Sequence, residues 1–213
     1  MIYSLSEIDA HAKKATRGAG FEWGGAEEAG KMARLLAAYQ LPGAVVLAGY
    51  LEQKAAAPTK FQVPVMEAGR WFPQTEEGML GPLMTGACLC DQGVAVLSEP
   101  LILERVGSPL LVWPYLVLMS RLHSCSLALS WPGVRLVCHE GRVIRPDVTD
   151  DVLMVKSVDR VECAGVVAEA GGVEAGNLGQ DISAEVWQRL DAFAKRTYVA
   201  ATEASRQGAG PAD

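Results

Sequence analysis

Histidine is scarce in this chain, with three in 213 residues, and lysine and arginine nowhere gather into a basic cluster. Against 19 basic residues stand 25 acidic ones, for a net charge of −6. A nucleic-acid surface needs basic side chains concentrated on one face, so the sequence predicts no nucleic-acid partner. Long hydrophobic runs are also missing. The longest, Pro109 to Met119, is too short to span a bilayer and is interrupted by Pro114, so no membrane partner is expected. The opening MIYSLSEIDA has neither a positive n-region nor an apolar h-region, and the expected location is the cytoplasm. The cysteines number five, with no CxxC knuckle and no disulfide-framework spacing, which points to reduced thiols. Neither a GxxxxGK[ST] phosphate loop nor a GxSxG nucleophile elbow occurs. Those absences argue against P-loop nucleotide chemistry and an α/β-hydrolase site.

What is present begins at Ser4. Ser4 and Glu7 have capping-box spacing, and Leu5, Ile8, Ala12 and Ala15 follow at helical intervals. Gly18 is the expected stop. A second helix should start near Gly24 or Gly25 and run to about Gln40. Ala26, Ala29, Ala33, Leu36 and Ala37 give it a small-residue face, and Glu27 and Lys31 an i,i+4 pair. Pro42-Gly43 breaks it, and a third helix is expected over Ala44 to about Gln53.

Further along, Glu67 to Gly93 loses all periodicity and reads as a long loop or lid. Val94 to Val106 reads as a strand, or a strand with a short helix. Pro114 can open a helix from Tyr115 to Leu122. Alternating runs on either side of Pro132-Gly133 predict a hairpin, with a third short strand at Arg142 to Ile144. Val152 to Val155 and Val158 to Val167 should extend a largely antiparallel sheet. Ser183 caps a last helix that runs to about Arg206. The expected class is α+β: N-terminal helices, a central mostly antiparallel sheet and a C-terminal helix. A helical region, 1–57, and an α+β region ending in a helix, 58–213, should form one unit.

The candidate ligand site is the stretch between the first two helices. Arg17, Gly18, Gly20, Trp23 and Gly24 combine glycines, whose backbone can approach a ligand closely, with a helix N-terminus that favours an anion. The ordinary alternative is that the glycines set turns while Phe21 and Trp23 pack in the core. Thr202, Ser205 and Arg206, near the end of the chain, are candidate contacts for the same ligand or for a partner. Gly18, Gly20 and Gly24 have the outline of a dinucleotide fingerprint but lack the preceding strand it requires. Cys88, Cys90, His123 and Cys125 are metal candidates only if their CxC and HxC pairs lie on extended chain; no native metal site is expected, because buried cysteine is ordinarily a small core hydrophobe. Cys138 and His139, adjacent on a strand, must face opposite ways.

The segment SLSEIDAHAKKATRGAGFEWGGAEEAGKMARLLA and the tail RTYVAATEASRQGAG resemble a family of uncharacterised proteobacterial proteins, a domain of unknown function. That resemblance implies a soluble bacterial protein and assigns no catalytic residue. Gly20 to Glu52 is also similar to the start of the malate/L-lactate dehydrogenase family that lacks a Rossmann fold. That family has His-Gly where this chain has Pro42-Gly43. The functional expectation is a binding or accessory protein for a small anionic metabolite or a protein partner, with no cofactor assigned. The alternatives are a small metabolic enzyme with a novel Cys/His or glycine-loop site, and a structural subunit of a homo-oligomer or larger complex, with Pro109–Met119 as its interface.

Overall fold

The computed structural model describes residues 1–144, 146–167 and 171–197. Three helices open the chain: α1 (Leu5–Gly18), α2 (Trp23–Ala38) and α3 (Gly43–Ala56). The capping box at α1 forms: Ser4 Oγ accepts from the Glu7 amide at 3.2 Å, and the Glu7 carboxylate accepts from the Ser4 amide at 2.8 Å. Ile8, Ala12 and Ala15 are buried with Thr16, and the small face of α2 is buried as its spacing predicts. The two helices cross so closely that a methyl group on Gly30 would lie 2.6 Å from Asp9 Oδ1. Glu27 does not pair within its own helix. It holds Lys13 of α1 at 2.6 Å, while Lys31 takes Glu28 at 3.0 Å.

A nine-stranded mixed sheet forms the other layer. Its path starts from β2 (Phe61–Gln62) through β5 (Met79–Leu80), β6 (Leu101–Gly107), β10 (Ser157–Gly165), β7 (Ser126–Trp131) and β8 (Val134–His139) to β9 (Arg142–Ile144). Two further strands, β3 (Pro64–Glu67) and β4 (Arg70–Pro73), form a hairpin, and β4 joins β6 in parallel. The half from β6 to β9 is antiparallel; the parallel pairs lie at the β2–β4–β5 end. Pro132 and Gly133 connect β7 to β8, with Trp131 opposite Val134, and Gly133 adopts φ +82°, a conformation glycine takes cheaply. A two-stranded sheet pairs β1 (Ile2–Tyr3) with β11 (Gln180–Asp181).

The Glu67–Gly93 loop is not a loop. It contains the end of the β3–β4 hairpin, β5 and a helix, α4 (Pro82–Gln92). Pro82 occupies its first turn, and Gly93, at φ +71°, follows its last. The periodicity is broken by Gly86, which is there for packing: a methyl group would sit 2.0 Å from the Tyr115 ring. Val152–Val155 is not a strand either. Asp150–Leu153 form a short helix, α6, with Asp150 and Asp151 in the first turn, where the helix dipole favours them. Val94–Leu97 is a 3₁₀ turn before β6.

Pro109–Val112 form a 3₁₀ turn that runs into α5 (Trp113–Leu122). The apolar run from Pro109 to Met119 is core rather than interface; of its residues only Leu118 is exposed. The last helix, α7 (Ala184–Ala194), is capped by Ser183 Oγ, which accepts from the Val186 amide at 3.2 Å. It passes into a 3₁₀ turn over Lys195–Thr197, and the rest of the span expected to reach about Arg206 lies outside the described residues. One continuous hydrophobic cluster runs from Ile8 in α1 through the sheet to Ala194 in α7. No helix among the described residues is long and apolar enough to cross a membrane.

Candidate functional site

The strongest candidate lies where the α1–α2 loop meets the end of α7. A cleft of about 590 Å³ opens there, lined by Lys14, Arg17, Gly18, Gly20, Trp23, Arg196 and Thr197. Four of the residues singled out in the sequence line it together: Arg17, Gly18, Gly20 and Trp23. Gly24 does not. Thr202, Ser205 and Arg206 lie outside the described residues.

The loop works differently from the sequence expectation. The amides of Ala19, Gly20 and Phe21 are not free for a ligand. The Ala19 amide bonds to the Ala15 carbonyl at 2.9 Å, Gly20 to Arg17 at 3.0 Å and Phe21 to Thr16 at 3.3 Å. These bonds use the carbonyls that a helix C-terminus leaves unpaired. The residue with left-handed backbone is Gly20, at φ +95°, not Gly18. Gly18 is the last residue of α1 and serves a close approach instead. A methyl group there would stand 1.9 Å from the Phe193 carbonyl oxygen. That contact brings the end of α7 against the loop and places Arg196 in the same cleft as Arg17.

The three cations come from two segments of chain. Lys14 and Arg17 occupy the C-terminal end of α1, where the dipole favours positive charge. Arg17 Nη1 donates to the Phe21 carbonyl at 2.7 Å, and its guanidinium lies 5.4 Å from the centre of the Trp23 ring. This fixes the fork while leaving other N–H groups to donate. Arg196 stacks over Phe193 at 4.5 Å. Thr197 Oγ1 donates to the Ala194 carbonyl at 2.7 Å and can still accept. Among the described residues no carboxylate lines the cleft. Phe21 and Trp23 part company: Phe21 packs against Tyr50 with ring centres 6.0 Å apart, whereas Trp23 is 59 % exposed. At the start of α2, Glu22 makes no side-chain cap, so the first-turn amides keep their partial positive charge unmasked.

Arg196 and Thr197 were missed in the sequence because nothing local marks them. Their role comes from the long-range contact at Gly18.

The thiol and imidazole candidates do not converge. Cys88 and Cys90 sit on α4, a helix, so their CxC spacing does not put both on one face. His123 is exposed at the end of α5, and Cys125 is half-buried just before β7. Among the described residues no group of three or more His, Cys, Asp or Glu side chains is placed to hold a metal ion. Burial pushes the thiols up: Cys90 and Cys138 each to about 11, with Cys88, Cys125 and Cys163 raised as well. Glu28 and Asp91 add to the rise at Cys90. A raised thiol is a poor nucleophile at neutral pH. Cys138 is fully buried, and His139 on the next position accepts or donates at Nδ1 to Ser126 Oγ at 2.8 Å.

No curated protein and no solved structure matches the chain. Residues 3–70, which carry α1 to α3, the Arg17–Gly20 loop and the β3–β4 hairpin as far as Arg70, match the model of a family described as a protein of unknown function, DUF3726.

Proposed function

We propose that this chain binds a small anionic metabolite in the cleft between the α1–α2 loop and the end of α7. The observation that carries the reading is the lining: Lys14, Arg17 and Arg196 face one cleft, with no carboxylate among the described residues that line it. Its volume, about 590 Å³, falls in the range of ordinary ligand sites, about 300–1,000 Å³. Arginine matches carboxylate and phosphate with paired N–H groups, and the exposed Trp23 ring supplies an apolar wall. The five cysteines are all free, which suits a reducing bacterial cytoplasm.

An enzyme built on the Cys/His set has less support, because those side chains lie on separate elements. The likeness to the malate/L-lactate dehydrogenase family supplies no imidazole at its His-Gly position. Pro42 caps α3 there, and Gly43 packs so closely that a methyl group would lie 2.7 Å from Leu36 Cβ.

Native mass spectrometry beside a denatured control tests the reading. The expected result is a native mass above that of the bare chain, with an anionic molecule released on denaturation. A bare native mass, together with no saturable binding across a panel of phosphate- and carboxylate-bearing metabolites, overturns it.

A further inference from the structure

Two surface depressions meet at Arg121, at the end of α5. One is an apolar groove of about 340 Å³ whose walls include Leu5, Met32, Leu35 and Leu118. Lys31 and Arg34 line it as well, and no carboxylate does among the described residues. The other is a polar pocket of about 460 Å³ lined by Tyr39, Arg142, Glu140 and Glu174 among others. Arg121 and Ala175 line both.

Among the described residues that line the two depressions, Arg121 is the cation left unspent. Arg142 holds Glu174 at 2.8 Å and the Gly172 carbonyl at 3.0 Å. Lys31 holds Glu28 at 3.0 Å, and Arg34 lies 4.0 Å from Asp9. Arg121 makes no hydrogen bond or ion pair with any described residue. The surface beneath it is fixed. Gly141, at φ +79°, leaves room for the arginine stem, because a methyl group there would stand 3.1 Å from Arg121 Cβ. Gly141 donates its amide to Ser120 Oγ at 3.1 Å, and its carbonyl accepts from the buried Tyr39 hydroxyl.

An apolar groove that ends on a guanidinium with no partner among the described residues fits a ligand with an aliphatic chain and an acidic head. The neighbouring Glu140 and Glu174 disfavour a doubly charged head and favour a monoanion. The geometry points to an amphipathic carboxylate, its chain in the Leu35–Leu118 groove and its carboxylate on Arg121. This site is separate from the Arg17 cleft and shares no lining residue with it.

The test is calorimetric titration of the full chain with hexanoate, octanoate and decanoate, and with decylamine as the cationic control. Affinity should rise about fourfold per added methylene, the value of burying one CH₂. Decylamine should not compete. Arg121→Gln should weaken decanoate about tenfold or more while keeping the chain-length dependence, and Arg121→Lys should recover part of the loss. Leu118 is 40 % exposed, so Leu118→Glu should fold and abolish the chain-length dependence. Arg17→Ala should leave decanoate binding unchanged, which separates this site from the first. The proposal is overturned if decanoate shows no saturable binding, if decylamine binds equally, or if Arg121→Gln and Leu118→Glu both bind as the wild type.

Discussion

The clefts at Arg17 and at Arg121 are both cationic, but they are made in different ways. At Arg17 the guanidinium is already anchored to the Phe21 carbonyl and set near Trp23, and Lys14 and Arg196 add charge beside it. At Arg121 the groove of leucine and methionine also carries Lys31 and Arg34, but these face Glu28 and Asp9, and Arg121 alone of the three has no partner among the described residues. Three cations facing one cleft suit a strongly anionic molecule. One cation without a partner on an apolar wall suits a long molecule with one charge. Placement, more than the number of basic residues, sorts the ligand class, since both regions draw on the ordinary helix-end positions of lysine and arginine.

The comparison breaks first at Gly18. Gly18→Ala forces a methyl group onto the backbone of α7, with no flexible side chain to yield, and should cost about 3 kcal/mol or more. Thermal unfolding should then fall by roughly 6–12 °C. A melting temperature within a degree of wild type would show that α7 is not seated on α1 as described. Gly141→Ala, under the second cleft, should cost less, about 1–2 kcal/mol, because it meets a movable arginine stem and carries the strain of a positive φ.

A finer cut removes charge without touching the scaffold. Arg17→Ala with Arg196→Ala should lower affinity for a phosphate- or carboxylate-bearing ligand about tenfold or more, with the far-ultraviolet circular dichroism unchanged. The position of α7 is also held by Arg189, which grips Glu52 of α3 at 2.7 and 2.8 Å. Both side chains are substantially exposed, so Glu52→Gln should cost only about 0.5–1 kcal/mol after solvent screening. Hydrogen bonds from Arg189 hold the Glu52 carboxyl below its ordinary 4.5. A depressed folded-state value means that the contribution is complete above the unfolded value and is lost as pH falls through the acid range below about 4.5. Urea unfolding of wild type and Glu52→Gln at pH 7 and pH 3.5 should show the difference shrinking at the lower pH; a constant difference contradicts the pairing. The smallest effect belongs to Gly24→Ala. A methyl group there meets nothing within 4 Å, so stability should stay within about 0.5 kcal/mol and binding should be unaffected.

These variants also mark what the chain disclosed before folding. Local signals were legible: the Ser4–Glu7 box, the small face of α2, the Pro132-Gly133 hairpin and the Ser183 cap are all short-range patterns, and each formed. Signals that depend on distant neighbours were not. Gly86 looks like a helix breaker until Tyr115 is seen lying over it, and that glycine hid α4. Gly18 looks like a helix stop until Phe193 arrives beside it. Met79 and Leu80 are too few to show alternation, and β5 exists because β2 and β6 flank it. The Arg17 loop stood out by composition, but the completion of its cleft by Arg196 rests on a contact between residues far apart in the chain.

The central claim is that the Arg17–Arg196 cleft holds a small anion. Its most direct test is calorimetric titration of a panel of phosphate- and carboxylate-bearing metabolites into wild type and into the Arg17→Ala, Arg196→Ala double variant. The account predicts saturable one-site binding by at least one panel member to the wild type, weakened about tenfold or more in the double variant. Equal binding by both proteins, or none by a folded wild type, would contradict it.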